Sequence, residues 1–537
     1  MSKVANYLRG HLTGEVSTRT DVRAARSSDA GVLSVSPELV VLPRNNADIR
    51  KVARFAWQIA EKGHIVPITA RGNGTSAVGG GIGKGVLIDL SKHMNRIFEY
   101  EPKQHLVRVQ PGALVQSLND ALSLQGVGVA SLLTANSSST IGGAIATQQK
   151  GALSYRYGDI SASVEQLEVV LASGDILQTG RLSKRELNRR KGLPGFEGDI
   201  YRGIDSIIID NKDLIEKLDT LDGTGYAAIA DVKRKDGSFD LTPLFCGSEG
   251  TLGIIDEAIL RAEFFSFHQS IAAMVFASAE AARDAIDEIS KLEPARLEYF
   301  DAVLFEQTRQ GGKTFSFYEA AYESFTPQAV LIVSFDDFNT RRRSHRLKKL
   351  TKLGAKTDAV ISSAEDEAAN ELIAALDVTR YYSWPDTTGE AAPRIFEGFY
   401  VPRHQFEDFV KKLALLADKL RLELPIAGYA DAGIYGIYPR LSLKKVGDKQ
   451  KIFKLLDELA KLVNSHEGYF VCEGGEGRLK TKIAQAQLDP EIAQLYSAIK
   501  KVFDPYNILN PGVKTDNDIR TVTSMLRDSF STNDLLR

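Results

Sequence analysis

Cysteine is almost missing from this sequence: its 537 residues include only Cys246 and Cys472. Two thiols cannot build a four-thiolate iron–sulfur cluster or a cysteine-rich structural zinc site. They offer no disulfide framework either, so a reducing cytoplasm suits the chain better than secretion. Long apolar runs are missing as well. No stretch approaches the roughly 18 consecutive apolar residues of a transmembrane helix. The opening MSKVANYLRGHLTGEV lacks the apolar core of a signal peptide. Neither sign of charge dominates, with 67 Lys and Arg against 69 Asp and Glu and a net charge of −2. A dedicated nucleic-acid binder would carry a basic excess, so that class is excluded. The sequence has no internal repeats and no low-complexity tract.

What is present is globular. Hydrophobic residues make up 43% and charged residues 25%, enough to bury a large core and exclude disorder as the main state. At roughly 150 residues per domain the length suggests two to four domains. Residues 1–35 read as a surface arm with short helical parts. ELVVLP is a short strand, and NNADIRKVARFAWQIAEKG is a capped amphipathic helix ending at Gly63. HIVPITAR, VLIDL, HLVRVQPG and VEQLEVVLASGDILQTG read as β, with helical VQSLNDALSLQG among them. Residues 181–222 read as an inserted helical pair. From about residue 266, strand–helix alternation suggests a second α+β domain. The basic stretch 341–352 reads as a solvated helix face, with anionic lipid a lesser use for it. Residues 515–537 form a polar tail with apolar Ile519, Val522, Met525, Leu526 and Phe530, which fits either a docking helix or a frayed end.

Four glycine-rich segments carry the chemistry. The first runs Arg71-Gly72-Asn73-Gly74-Thr75-Ser76 and on to Gly79, Gly80 and Gly81. Glycines adopt positive φ and let successive backbone N–H groups close on an anion as a nest for phosphate oxygens. The Thr75 and Ser76 hydroxyls add donors. Two familiar nucleotide patterns fail here. Ala77 stands where GxGxxG needs its last glycine, and Gly85 stands where a GxxxxGK loop needs Ser or Thr. Taken alone, the segment also reads as a plain glycine-rich connection. The others are Pro111-Gly112, Thr140-Ile141-Gly142-Gly143-Ala144-Ile145-Ala146 and Gly247-Ser248-Glu249-Gly250-Thr251-Leu252-Gly253-Ile254.

In that order, RGNGTSAVGGG, VQPG, TIGGAIAT, GYAAIADV…FDLTPLFCGSEGTLGII and FDPYNILNPG resemble the FAD-linked oxidases and dehydrogenases of the vanillyl-alcohol oxidase / p-cresol methylhydroxylase type. Within that superfamily they resemble the glycolate-oxidase-subunit and D-lactate dehydrogenase branch. The resemblance covers residues 35–515. It implies a two-lobed α+β FAD-binding domain of the p-cresol methylhydroxylase (PCMH) type over 36–265, rejoined by 505–514, and an α+β cap over 266–504. It implies FAD with its pyrophosphate on 71–76, and further contacts from Gly79, Pro111, Gly112, Thr140, Gly142, Gly143, Ala146, Ser248, Glu249, Gly250, Gly253, Ile254 and Asn510. Thr75 stands where some relatives carry a flavin-tethering histidine, which implies a non-covalent cofactor. The run after Gly143 reads ATQQKG where an Asn-containing stretch is usual, leaving Gln148 or Gln149 as substitute amides.

The match weakens on the substrate side. The branch carries a His-rich turn and an E-H-G turn that bind a divalent metal. Here the first turn has Tyr429 and Gly436 at the histidine positions, and the second has Gly474 after Glu473. Asp431, Glu473 and Glu476 alone are too few, so no metal is expected. His466 reads as a surface or capping residue, with the cleft as a lesser option. Glu473, Tyr429 and Tyr435 are left as candidate bases, and a structural ion pair of Glu473 with Arg478 or Lys480 is the alternative. Arg380, Arg394 and Arg478 are the candidate carboxylate partners, surface cations being the alternative for the first two. Tyr381, Tyr382, Trp384, Tyr400, Tyr429, Tyr435 and Tyr438 read as core packing or an aromatic lining.

The expectation is an FAD oxidoreductase that oxidises an alcohol carbon, most simply of a 2-hydroxy acid such as D-lactate or glycolate. Glu473, Arg380, Arg394 and Tyr429 would carry the chemistry. Electrons would pass to an external acceptor: a quinone, an electron-transfer protein or O₂. A flavin oxidase of a sugar, lactone or aromatic alcohol is one alternative, and a flavin-binding protein with little catalysis is another. A cytoplasmic location, with or without peripheral membrane contact, and a homodimer fit the sequence.

Overall fold

A computed structural model describes residues 2–515 and 517–529. The run LVVL makes the strand Leu39–Leu42, buried along its whole length as parallel strands are. It pairs in parallel with Val86–Asp89, which pairs in parallel with Ile68–Arg71. The helix Asn46–Ala60 covers this sheet. Asn45 caps it by accepting from the Asp48 N–H, and its buried stripe is Ile49, Val52, Ala53, Ala56 and Ala60. The arm is not a surface feature. Glu15–Ser17 adds an antiparallel strand to the sheet, and Val32, Leu33 and Val35 are core, in one buried cluster with Val78 and Ile82.

An antiparallel sheet of five strands forms the second lobe, in the order Ile97–Glu101, Leu106–Val109, Ile254–Arg261, Val164–Val170, Ile176–Gln178. The insertion is helical, as Lys184–Lys191, Phe196–Asp210 and Lys212–Ile215, and it starts on a Ser183/Glu186 capping box. Its long helix packs on Pro490–Phe503.

The cap holds a seven-stranded antiparallel sheet in the order Val360–Glu365, Ser270–Phe276, Ala329–Phe335, Arg296–Asp301, Ile426–Tyr429, Ile434–Ile437, Glu397–Tyr400. Ser270–Phe276 and Ala329–Phe335 are buried at every position, so alternate residues feed two cores. Ala272, Met274 and Phe276 join one, with the helices Phe406–Leu420 and Val446–Asn464 over it. Ile271, Ala273 and Val275 join the other with Phe300, under the helices Ala302–Gln310 and Val378–Tyr382. The chain then returns to the first sheet: Ile68 N donates to Ile508 O at 2.7 Å and Asn510 N to Ile68 O at 2.8 Å.

The basic helix is Thr340–Gly354; Arg343 is buried on it and donates to Asp337 O, while its other Arg and Lys residues stay in contact with solvent. In the tail, Ile519–Ser524 is a helix that buries Val522, and Ser34 N donates to Met525 O at 2.8 Å. Phe530 lies outside the described residues.

Candidate active site

A cavity of about 730 Å³ opens between the glycine turns and one face of the cap sheet. Arg71 to Ser76 form its first wall. The buried Arg71 guanidinium braces that turn from within, donating to Ser28 O at 2.8 Å and Gly81 O at 3.1 Å. Asn73 Nδ2 donates to Ser138 O at 3.0 Å, and Thr75 Oγ1 shares a 2.9 Å bond with Ser139 Oγ. The first glycine segment is thereby sewn to the third. Close approach dictates the glycines: a Cβ on Gly72 would lie 2.0 Å from Thr140 Oγ1, and one on Gly142 2.6 Å from Pro111 Cβ. Thr140 caps the short helix Ile141–Ala146 by accepting from Gly143 N at 3.3 Å. Pro111, Thr140, Gly142, Gly143 and Ala146 line the cavity, as do Ser248, Glu249, Gly250, Gly253 and Ile254.

Glu249 accepts from Glu476 N at 2.7 Å and Gly477 N at 2.9 Å, tying this wall to the turn that carries Glu473. Burial, opposed by Lys514, pushes its carboxyl up to about 7.

Three expected cofactor contacts lie behind the wall instead. Gly79 N donates to Asp29 Oδ2 at 2.7 Å, and Gly112 N donates to Met94 O at 2.7 Å. Asn510 Nδ2 donates to Gly80 O at 2.9 Å and to Glu249 O at 2.8 Å. They shape the walls because their polar groups are already used within the protein. Of the two substitute amides, Gln149 lines the cavity, while Gln148 Nε2 donates to Asp159 Oδ2 at 3.1 Å.

The cap supplies the opposite wall. Glu473, Tyr429, Arg394 and Arg380 all reach it. Burial, against the pull of Lys150, pushes Glu473 up to about 8; Glu397 raises it further and Arg394 lowers it. Its expected partners are engaged elsewhere. Arg478 donates to Gly79 O at 2.7 Å and Asn510 Oδ1 at 2.8 Å, and Lys480 donates to Glu397 O at 2.7 Å. Arg394 Nε is 2.8 Å from Glu397 Oε1, whose charge raises the guanidinium's pKa. Burial, with Glu473 and Glu298 beside it, holds the Tyr429 phenol well above its usual value, so it stays protonated. Tyr435 stacks flat on Phe406 with centroids 4.1 Å apart, and burial raises its pKa too. Neither tyrosine is a base near neutrality. Of the seven aromatics, Tyr429, Tyr435 and Tyr438 line the cavity.

Sequence reasoning missed Arg296, Glu298, Glu397 and Lys150. Arg296 and Glu298 alternate on a cap strand, with Arg296 Nε 3.5 Å from Glu298 Oε1 and otherwise a buried donor without a hydrogen bond. Charges at every second position of a strand over a buried face were the available signal. Glu476 turns to Gly225 N at 2.6 Å and Lys514 Nζ at 3.2 Å, and Asp431 Oδ1 accepts from Ala432 N at 2.9 Å. Among the described residues no three His, Cys, Asp or Glu are grouped to hold a metal ion. His466 stays out of the cleft: it is buried, with Nε2 3.1 Å from Asp408 Oδ2.

The FAD binding domain model matches residues 37–180, and the model of the C-terminal domain of FAD linked oxidases matches residues 267–513. The chain belongs to the FAD-linked oxidases. It is 27% identical over 514 residues to the D-2-hydroxyglutarate dehydrogenase of Pantoea ananatis, covering 93% of this chain and 50% of that protein. It is 28% identical over 495 residues to the glycolate oxidase subunit GlcD of Bacillus subtilis, covering 90% of each. The chain spans about half the length of the D-2-hydroxyglutarate dehydrogenases it matches. In fold it is similar to the 4-ethylphenol oxidase of Gulosibacter chungangensis, with a TM-score of 0.68 at 14% identity over 97% of this chain and 98% of that one.

The walls of this FAD-linked oxidase fit the cofactor. Gly250 has only Ala70 Cβ near its open side, at 3.8 Å, which leaves room for a ligand against the backbone. Asn119 Oδ1 and Thr134 Oγ1 are buried on the cavity wall with no hydrogen-bond partner, as polar atoms awaiting a polar ligand are.

Proposed function

We propose that the protein oxidises the hydroxyl carbon of a 2-hydroxy acid, of the D-lactate, glycolate or D-2-hydroxyglutarate kind. One observation carries this reading: a carboxyl with a raised pKa and three arginines share a single cavity wall opposite the FAD-binding turns. Bound FAD supplies the hydride acceptor. Arg380 and Arg394 grip the substrate carboxylate; among the described residues the Arg380 side chain makes no hydrogen bond or ion pair, so its guanidinium is available. Arg296 adds a third donor. Glu473 takes the hydroxyl proton, and Tyr429, held protonated, donates to the substrate's oxygen. FAD is held non-covalently, as Thr75 offers no tether. Electrons leave to a quinone, an electron-transfer protein or O₂. The catalytic step needs no metal, and a cytoplasmic protein that forms a homodimer is consistent with the reading.

The test is anaerobic mixing of the yellow protein with D- and L-2-hydroxy acids, sugars and aromatic alcohols, with and without a chelator. Bleaching of the flavin band by one or more 2-hydroxy acids, unchanged by chelator, is expected. Bleaching by sugars or aromatic alcohols alone would contradict the proposal, and so would chelator-sensitive bleaching.

A further inference from the structure

Lys150 is the residue in ATQQKG that the site's chemistry has not yet used. It is 4% exposed. Its Nζ donates to Cys472 O at 2.7 Å and lies 3.4 Å from Cys472 Sγ. Neither acceptor carries a charge. The ammonium has been taken out of water for one carbonyl and one weak sulfur acceptor, which leaves most of its desolvation uncompensated unless a carboxylate shares the site. Cys472 is the residue before Glu473, and the Lys150 backbone N–H also faces the Glu473 carboxylate. The chain on either side of Lys150 reaches the cavity too, since Gln149 and Ala152 both line it. Lys150 therefore spans from the FAD-binding domain to the strap that presents Glu473.

The charges around Glu473 are few. Lys150, Arg394 and Lys480 face it as cations, Glu397 as a like charge, and Tyr429 as a neutral neighbour. Asp222 is a further acid near Cys472, whose thiol it raises. Arg394 is neutralised by Glu397 at 2.8 Å and Lys480 is anchored on Glu397 O. Among the described residues neither lysine forms an ion pair, and Lys150 is the one anchored on the residue next to Glu473.

We propose that Lys150 is a positioning residue: its buried ammonium, anchored on Cys472, fixes Glu473 at the cavity wall and keeps that carboxylate available as the proton acceptor. The inference rests on Glu473 as the base of the proposed reaction. In that reaction the substrate hydroxyl proton goes to Glu473, the hydride of the adjacent carbon goes to the flavin, and a carbonyl forms.

The test uses the full FAD-loaded chain with Lys150→Met and Lys150→Arg. Methionine keeps an apolar stem and the backbone N–H and removes the charge together with the hydrogen bond to Cys472 O. Two titrations are read: the infrared band of the protonated Glu473 carboxyl, assigned by its loss in Glu473→Gln, and the pH profile of anaerobic flavin reduction. The expected result for Lys150→Met is an upward shift of both midpoints by about one unit, a tenfold smaller ionised fraction at a given pH below them. Lys150→Arg should return both towards wild type, and the ratio of FAD to protein should stay constant. An infrared titration of Lys150→Met that overlays wild type would overturn the proposal, even if the rate falls. If no 2-hydroxy acid reduces the flavin in wild type, the substrate assignment fails, and the infrared midpoint still decides the role of Lys150.

Discussion

Glu473 is a carboxyl on a cavity wall, raised by burial to about 8. A base works in its ionised form, so the rate of flavin reduction should rise with pH through a midpoint near 8 and level off above it. Stopped-flow reduction across pH 6–10 checks this. Glu473→Gln should retain FAD and lose roughly 10²–10⁴-fold in reduction rate, the usual contribution of a general base. Arg380 and Arg394 act on binding: Arg380→Met should raise KM about 10–100-fold, the loss of one charge-assisted hydrogen bond, with a smaller change in kcat. At this scale the sequence named Glu473, Arg380, Arg394 and Tyr429 as candidates, and all four line the cavity. It did not exclude Tyr429 and Tyr435 as bases, since their burial depends on partners from other elements, the strand of Glu298 for Tyr429 and Phe406 for Tyr435. It did not rank Lys150, whose partner Cys472 lies 322 positions away.

Among the elements, the glycine segments depend on contact distance. Gly142→Ala would drive a methyl into Pro111 at 2.6 Å. We expect this variant to fold with a loss of about 1–3 kcal/mol from overpacking, and to lose FAD on gel filtration. FAD retained at full stoichiometry would show that the segment yields without harm to the site. Strands and amphipathic helices were legible from their periods, as at Leu39–Leu42, Asn46–Ala60 and Phe406–Leu420. Thr140–Ala146 was legible only as a glycine-rich segment and is a capped helical turn, because the Thr140 hydroxyl accepts from Gly143 N. The arm read as surface because Ser, Arg and Thr dominate it, yet Ala30 N donates to Gly74 O at 3.1 Å and Ser76 O at 3.0 Å. It therefore backs the first glycine turn, a long-range pairing that local composition does not record.

For the whole molecule, the buried carboxyls set a pH dependence of stability. Burial raises Glu249, Glu298 and Asp431 to about 7, and Glu473 and Asp256 to about 8. Each holds its proton in the folded state well above the pH at which the unfolded chain releases it. The folded protein therefore binds more protons than the unfolded chain between about pH 4.5 and 8, and stability falls as pH rises through that window. The melting temperature of the FAD-saturated protein should be lower at pH 8 than at pH 6; a higher value at pH 8 would mean these groups are ionised when folded. The two-domain division was legible because the strand–helix alternation changes near residue 266. The cavity between the domains was not, because it is built from turns far apart in the chain.

The most direct measurement is a crystal structure of the FAD-loaded protein, soaked anaerobically with a 2-hydroxy acid that bleaches it. The account predicts the diphosphate against residues 72–76 and the third glycine segment, the flavin ring facing Glu473, and the ligand carboxylate on Arg380 and Arg394. A ring turned away from Glu473, or a carboxylate bound outside the cavity, would contradict it.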